Sequence, residues 1–450
     1  MLSEVLMTMS WNTYKISFGS WIRSASFSFE KTFQDVSIFE KRNDSEKNYV
    51  RINCKRRICT MDKLQTKYNL LHILYWITSC AIYGYVAVFL QYKGLTNTEI
   101  GIVTGGGSVI SIFASPFITS LITRIKGLTI KKLTLILYAV MFGDFLCLTI
   151  LPLPTILIMG LYIILSCLMV SIVPFLSMIC MDFLKTGHYI NFGLSRGMGS
   201  VSYAVSAVVL GQLVEKINPN ILAPVFILFG ILLLVLLFSM PDSNVKRETT
   251  TKSISTAAFI KKYQTFFLIL FGFSFAFAAS TSLSTYLINI VKNLGGDTSF
   301  YGIAIFAMAA SEMPVMSMTH SLLKKYKAET LLLVAAFCYI LRNFTISFAP
   351  NIFILLIGMM CQSVSYGLFT AVITYYVNDH VHAEDQMMGQ TMIGIMTTGI
   401  GSTIGNVLGG ILQDTFGLSS MLVFACLMTF TSVIVVFMTL IPKMRTAKQK

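Results

Sequence analysis

Gly94-Leu95-Thr96-Asn97-Thr98-Glu99-Ile100-Gly101-Ile102 and Gly295-Gly296-Asp297-Thr298-Ser299-Phe300-Tyr301-Gly302-Ile303 are two copies of one short turn, each ending in Gly-Ile at the head of an apolar run. They lie about 200 residues apart, and two further pairs keep nearly that offset. Ser115-Pro116-Phe117 parallels Met313-Pro314-Val315, and each leads into a basic loop. Leu210-Gly211-Gln212-Leu213-Val214-Glu215 parallels Gly409-Gly410-Ile411-Leu412-Gln413-Asp414, each closing an apolar run. One echo would be weak. Three in register mean that the chain repeats a single structural unit.

That unit is a bundle of membrane helices. A spanning helix needs about 20 mainly apolar residues. Such runs lie near 69–92, 99–122, 133–151, 155–180, 194–214 and 221–240, then near 264–291, 300–323, 329–348, 351–376, 388–412 and 419–441. The sequence therefore predicts an all-α membrane protein of twelve transmembrane helices in two parallel six-helix halves, residues 68–240 and 263–442. The polar stretch 241–262 is the linker between them, and 443–450 is a short tail. Composition agrees. Hydrophobic residues make up 55% of the chain and charged residues 12%, where soluble domains carry about a quarter charged. Too little charge remains to wet the surface, so the bilayer is the principal partner. The span 194–214 is rich in Gly and Ser, which suits a helix packed on other helices rather than on lipid.

A net charge of +14 raises the question of nucleic acid. The basic residues form no single patch, however. They recur in short clusters between apolar runs, as the positive-inside rule requires. Placing the N-terminus in the cytoplasm puts Arg124, Lys126, Lys131, Lys132, Lys185, Arg196, Lys246, Arg247, Lys252, Lys261, Lys262, Lys324, Lys325, Lys327, Lys443, Arg445, Lys448 and Lys450 inside. Only Lys93, Lys216, Lys292 and Arg342 fall outside. Both termini are expected in the cytoplasm, and nucleic acid is not an expected partner. Residues 1–67 form a basic, aromatic-speckled segment: a disordered tail or an over-long start whose true first residue is Met61, or on a functional reading a lipid-binding arm.

Enzymatic chemistry finds no support. The nine cysteines fall mostly inside apolar runs without CxxC spacing, and the five histidines make no ligand pattern. Gly105-Gly106-Gly107 lacks the following Gly-Lys-Ser/Thr of a phosphate loop. No cofactor or metal is expected.

Four stretches resemble the major facilitator superfamily, in the branch shared by lactose permease, nucleoside permeases and the phenylpropionate permease. Tyr83 to Gly101 is similar to that branch's first helix and following turn. Asn191-Phe192-Gly193-Leu194-Ser195-Arg196-Gly197-Met198-Gly199-Ser200 resembles its Tyr-Gly-x-x-Arg-x-x-Gly-Ser entry to the fifth helix. Ser311-Glu312-Met313-Pro314 resembles its Glu-Ile-Pro, and Gln362 to Phe369 its Gln-x-x-His-Gly helix. The resemblance covers roughly residues 68–440. It implies a monomeric, multi-pass carrier of a bacterial-type plasma membrane, with solute bound between the halves and access alternated by rocking.

Ionisable groups at membrane depth cost at least about 2.5–3.5 kcal/mol, so each asks for a reason. Glu312, beside Pro314, is the first candidate for proton coupling. The resemblance also allows it to contact solute. Arg342 is its candidate partner by resemblance, or else a helix-end arginine snorkelling to headgroups. Asp144 lies deep in the third span and is a candidate for solute contact or for packing. Gln362, Tyr366 and Asn378 are further candidates for solute binding by hydrogen bonds, and Trp76 with Tyr83 or Tyr85 for stacking, or else these are ordinary membrane-interface aromatics. Asp182 and Arg196 flank the loop before the fifth span and read as a structural or gating ion pair. Glu215 and Asp414, at symmetric outer helix ends, read as gating or capping groups. Ser365 stands where the branch has His, so the lactose-permease His/Glu pair is missing from the tenth span.

The reading is a secondary transporter of a small organic solute (saccharide, nucleoside or aromatic acid) coupled to protons. An exporter of drugs or metabolites and a non-transporting receptor or scaffold are the alternatives.

Overall fold

A computed structural model of the chain describes residues 63–125, 127–186, 190, 192–241 and 256–446. The expectations for residues 1–62 and for most of the linker lie outside the described residues. Among the described residues, eleven helices are long and apolar enough to cross a membrane, and the bent pair Lys63–Gly84 and Val86–Tyr92, taken as one span, makes a twelfth. This pair is α1. The others are α2 (Asn97–Arg124), α3 (Ile130–Ile150), α4 (Thr155–Ser171 continued by Val173–Lys185), α5 (Phe192–Lys216) and α6 (Leu222–Ser239). In the second half they are α7 (Gln264–Thr285 continued by Leu287–Asn293), α8 (Thr298–Lys325), α9 (Ala328–Ser347), α10 (Ile352–His380), α11 (Gln386–Phe416) and α12 (Leu418–Thr446). Part of the expected linker is ordered. Thr256–Lys262 is a short helix, and Lys262 pairs with Asp385 at 2.7 Å before α11.

The repeated turn owes its shape to its glycines. Gly94 has φ +88° and Gly295 φ +79°, the left-handed region that a side chain resists. Each glycine lets the chain reverse and close the preceding helix. Gly94 N–H donates to Gln91 O and Leu95 N–H to Leu90 O; Gly295 N–H donates to Lys292 O and Gly296 N–H to Val291 O. This is the paired bonding of a Schellman end. The next helix is then capped. Thr96 caps α2 in a box with Glu99, and Asp297 caps α8 by accepting from Phe300 N–H. Each copy of the repeated turn thus encodes one helix stop and one helix start.

The helices also break at equivalent places. α1 bends at Tyr85 and α7 at Tyr286, both outside helical geometry (φ −119° and −98°, ψ 18°). π-turns occupy Cys80–Gly84, Ser363–Gly367 and Ile395–Gly401. Such bulges re-aim side chains within a helix and often mark functional positions.

The halves join chiefly where α5 meets α8 and α2 meets α11. α5 is the Gly- and Ser-rich span, and its Ser195, Gly199, Ala204, Ser206, Ala207 and Gly211 are buried, as close helix packing requires. Its opposite face (Val201, Val205, Val209) is exposed to the surroundings. The apolar core divides in two. The larger part fills the first half and continues through Tyr286, Tyr301 and Ile305 of the second. A smaller part, built on Phe273, Phe277, Tyr339 and Phe369, belongs to the second half alone.

Candidate functional site

Two features lie between the halves: a seal at the end carrying the repeated turns, and a polar cluster nearer the basic loops. The seal follows the repeat. Tyr85 of α1 donates its hydroxyl to Ala207 O, against Gly211 of α5 and Gly302 of α8. Tyr286 of α7 donates to Asn406 O (2.8 Å) and Asn97 O (2.9 Å), against Gly410 of α11 and Gly101 of α2. A Cβ on any of these glycines would strike the facing backbone. Around them runs a ring of amides. Gln91 donates to Asn289 (2.8 Å) and Asn97 (3.1 Å), while Asn289 donates to Asn97 and Gln413 (both 2.9 Å).

Glu215 and Asp414 complete the seal, each across the interface. Glu215 Oε2 accepts from Thr298 N–H at 3.1 Å, at the head of α8. Asp414 accepts from Asn97 N–H (3.3 Å), Asn97 Nδ2 (2.8 Å) and Thr98 N–H (2.6 Å), at the head of α2. An acid near a helix N-terminus satisfies donors that the helix leaves open and meets its dipole favourably. The two acids therefore cap helices of the opposite half.

The polar cluster draws on α1, α5, α8 and α10. Glu312 is half-buried, and its Oε1 accepts from Gln362 Nε2 at 3.1 Å. Gln362 is buried just before the π-turn of α10, with its own oxygen unpartnered. Tyr366 follows one turn later, its ring 5.7 Å from that of Phe277. From the other half comes Arg196, exposed at the interface although protein surrounds it. Its guanidinium lies over the Trp76 ring at 4.1 Å, and its Nη1 donates to Ser200 at 2.9 Å. Arg196, Glu312 and Tyr366 lie close enough to influence one another electrostatically. The first half thus supplies a cation held on an indole, and the second a carboxyl hydrogen-bonded to an amide.

Several sequence expectations change. Arg196 does not take Asp182 as its partner; Trp76 and Ser200 are its contacts, and Asp182 is buried with contacts of its own. The motif pointed to Arg196, but its place near a helix start disguised a residue facing the second half. Arg342 neither snorkels nor forms an ion pair with Glu312. It is wholly buried and donates to Asn343 (2.8 Å) and Ser284 (3.3 Å), with Nε unpartnered. Its charge still reaches Glu312 through the protein. Asp144 stands apart from the cluster. α3 packs on α4 and α6, away from the interface, and both Asp144 oxygens are buried without a partner. Tyr83 spends its hydroxyl on Ser166 O, tying α1 to α4. The residues that sequence reasoning missed are Tyr286 and Asn289, and it read Tyr85 as a stacking aromatic rather than as part of the seal; the only signal was their place one repeat apart or beside the repeated turn.

Comparison with known protein families matches residues 65–426 to the MFS_1 like family model. The chain belongs to the MFS_1 like family. This supports a transporter and not an enzyme. Maltose permease of Geobacillus stearothermophilus is 21% identical over 397 residues, 86% of this chain and 97% of that one. The uncharacterized transporter YwbF of Bacillus subtilis (strain 168) is 23% identical over 226 residues. That match spans only about half of each protein, 50% of this chain and 56% of YwbF. Among solved structures, the nucleoside transporter NupG superposes with a TM-score of 0.69 at 16% identity, covering 84% of this chain and 98% of NupG. A bacterial homologue of the human lysosomal transporter Spinster, inward-facing and unoccupied, gives 0.56 at 14% identity over 85% and 95% of the two chains. At these identities the structural likeness establishes the fold. The MFS_1 like chain is a multi-span transporter fold of two six-helix halves.

Proposed function

We propose that this MFS_1 like protein carries a small polyhydroxylated solute, a saccharide or nucleoside, by alternating access coupled to protons. The observation that carries the reading is the hydrogen-bonded pair Glu312–Gln362 on one half, together with Arg196 of the other half held over Trp76. Vicinal hydroxyls can accept from a guanidinium and donate to a carboxylate or amide, so one solute bridges both walls. Such bridging favours closure of the halves around cargo, which is what couples binding to movement.

Glu312 is the proton site in this reading. It is the half-buried carboxyl of the cluster, and solute and proton compete for or share its oxygens. Arg342 supports the charge balance through the protein rather than by contact. On this reading the basic loops lie in the cytosol and the end carrying the repeated turns faces outward. Maltose permease and NupG, the named relatives, have cargoes of the proposed class.

The test is uptake of labelled maltose and uridine into proteoliposomes, with and without an inward proton gradient. Gradient-driven accumulation that Glu312→Gln abolishes is expected, with counterflow exchange retained. Unchanged gradient-driven accumulation by Glu312→Gln would remove it as the proton site.

A further inference from the structure

The aromatic expected to stack on solute has its face occupied. Arg196 lies over the Trp76 indole at 4.1 Å from the ring centre, a cation–π contact between α5 and α1. Tyr75 and Tyr203 meet the indole edge-on, at 5.4 Å and 6.0 Å and angles of 85° and 76°. Gly199, one turn after Arg196, makes room for it; a Cβ there would overlap the indole ring. Ser202 Oγ donates to Ile73 O at 3.2 Å, fixing α5 against α1 beside this packing. The indole is thus held on its edges by tyrosines and on its near side by a glycine. Its face supports a guanidinium.

We infer that Trp76 is a positioning residue for Arg196, set by Gly199, and that selectivity rests on solute hydroxyls rather than on aromatic stacking. The inference rests on the reading of Arg196 and Glu312 as the solute site and deepens it. Arginine side chains carry about 2 kcal/mol of rotamer entropy, and a planar platform removes much of that freedom before solute arrives. Ser200 holds one terminal nitrogen. On the proposed reading the remaining donors serve the solute. A solute with paired hydroxyls fits such a fork, whereas an aromatic acid finds one face of the indole already taken by Arg196.

The chain has three tryptophans, Trp11, Trp21 and Trp76. Replacing the first two by Phe leaves Trp76 as sole emitter, so its contact with Arg196 can be read directly. Arg196→Gln should make Trp76 markedly more accessible to acrylamide, and Gly199→Ala should do likewise. In proteoliposomes supplied with maltose or uridine, Trp76→Leu and Gly199→Ala should raise KM about tenfold, with kcat within about twofold. Trp76→Phe, which keeps an aromatic face, should recover most of the loss. An unchanged KM in Trp76→Leu, or no change of acrylamide access in Arg196→Gln, overturns the positioning role. The Arg196→Gln arm leaves the indole packing intact, so it decides the matter even where Trp76→Leu or Gly199→Ala fails to fold. If Arg196→Gln itself leaves KM unchanged for a transported solute, the solute-site reading falls instead. If an aromatic acid is carried and neither maltose nor uridine is, the hydroxyl-based selectivity falls while the fluorescence arm still decides the contact.

Discussion

Removing both carboxylates of the seal, Glu215→Ala with Asp414→Ala, tests the view that the two halves are latched by reciprocal helix caps. Asp414 accepts three hydrogen bonds from the head of α2, and Glu215 accepts one from the head of α8. Both acids are exposed, so water replaces much of what is lost. Each bond is then worth the low end of its usual net value, about 0.5 kcal/mol. Each charge at a helix N-terminus adds about 0.3 kcal/mol when screened. The pair should therefore shift the balance between sealed and open states by about 2–3 kcal/mol, roughly 30- to 150-fold. Neither acid touches the polar cluster, so the change acts on conformation and not on solute contacts. Spin labels at Lys216 and Phe416, exposed ends of α5 and α11, report the separation of the halves at the sealed end. Pulsed dipolar spectroscopy should show a longer distance gaining population in each single variant and dominating in the double. Asp414→Ala should have the larger effect. A distance distribution identical to the parent's in the double variant would refute the latch.

The other predictions concern single groups. Glu312→Gln should flatten the pH dependence of uptake while leaving solute counterflow, read in the same proteoliposomes. Asp144→Asn should leave KM within about twofold, because α3 lies off the interface and the amide suits a buried site better than a carboxylate with no partner; a large KM change would return Asp144 to the solute path. Lys262 and Tyr263 hold the Asp385 carboxyl below its usual range, and Asp385 holds the Lys262 ammonium above its own. The carboxylate's contribution is present above its unfolded pKa of about 4 and lost as pH falls below that through the lowered folded value; the ammonium's is present below about 10.4 and lost as pH rises through the raised folded value. Asp385→Asn should therefore speed amide exchange in Thr256–Lys262 at pH 7 and change it little near pH 3.

The scaffold was legible because it is written as periodicity. Twelve apolar runs and three repeated stretches need no tertiary information, and Gly94 and Gly295 are required by backbone geometry alone. The capping role of Glu215 and Asp414 was legible for the same reason, since both close equivalent helices. What the sequence did not carry was partnership. Arg196 and Asp182 are neighbours across one loop, yet Arg196 turns to Trp76, far away along the chain. Arg342 sits near a helix end, where snorkelling is ordinary, but its helix rotation aims it at Asn343 and Ser284 in the interior. Asp144 looked functional because it was deep. Depth along a helix is visible in the sequence; the face it presents to its neighbours is settled by packing.

The same distinction explains why the seal is symmetric and the cluster is not. Closing the far end is a task both halves share, and Tyr85 with Gly211 and Gly302 does for one what Tyr286 with Gly410 and Gly101 does for the other. Gly84 O also receives the Tyr301 hydroxyl, so the bend of α1 is gripped by the opposite half. A solute has no such symmetry. Its two sides need different chemistry, and the halves supply it: a guanidinium on an indole from the first, a carboxyl and an amide from the second. Tandem copies that kept their closing surfaces while diverging at their centres produce this arrangement. On the proposed reading, the repeated residues mark the moving parts and the residues that break the repeat mark the cargo site.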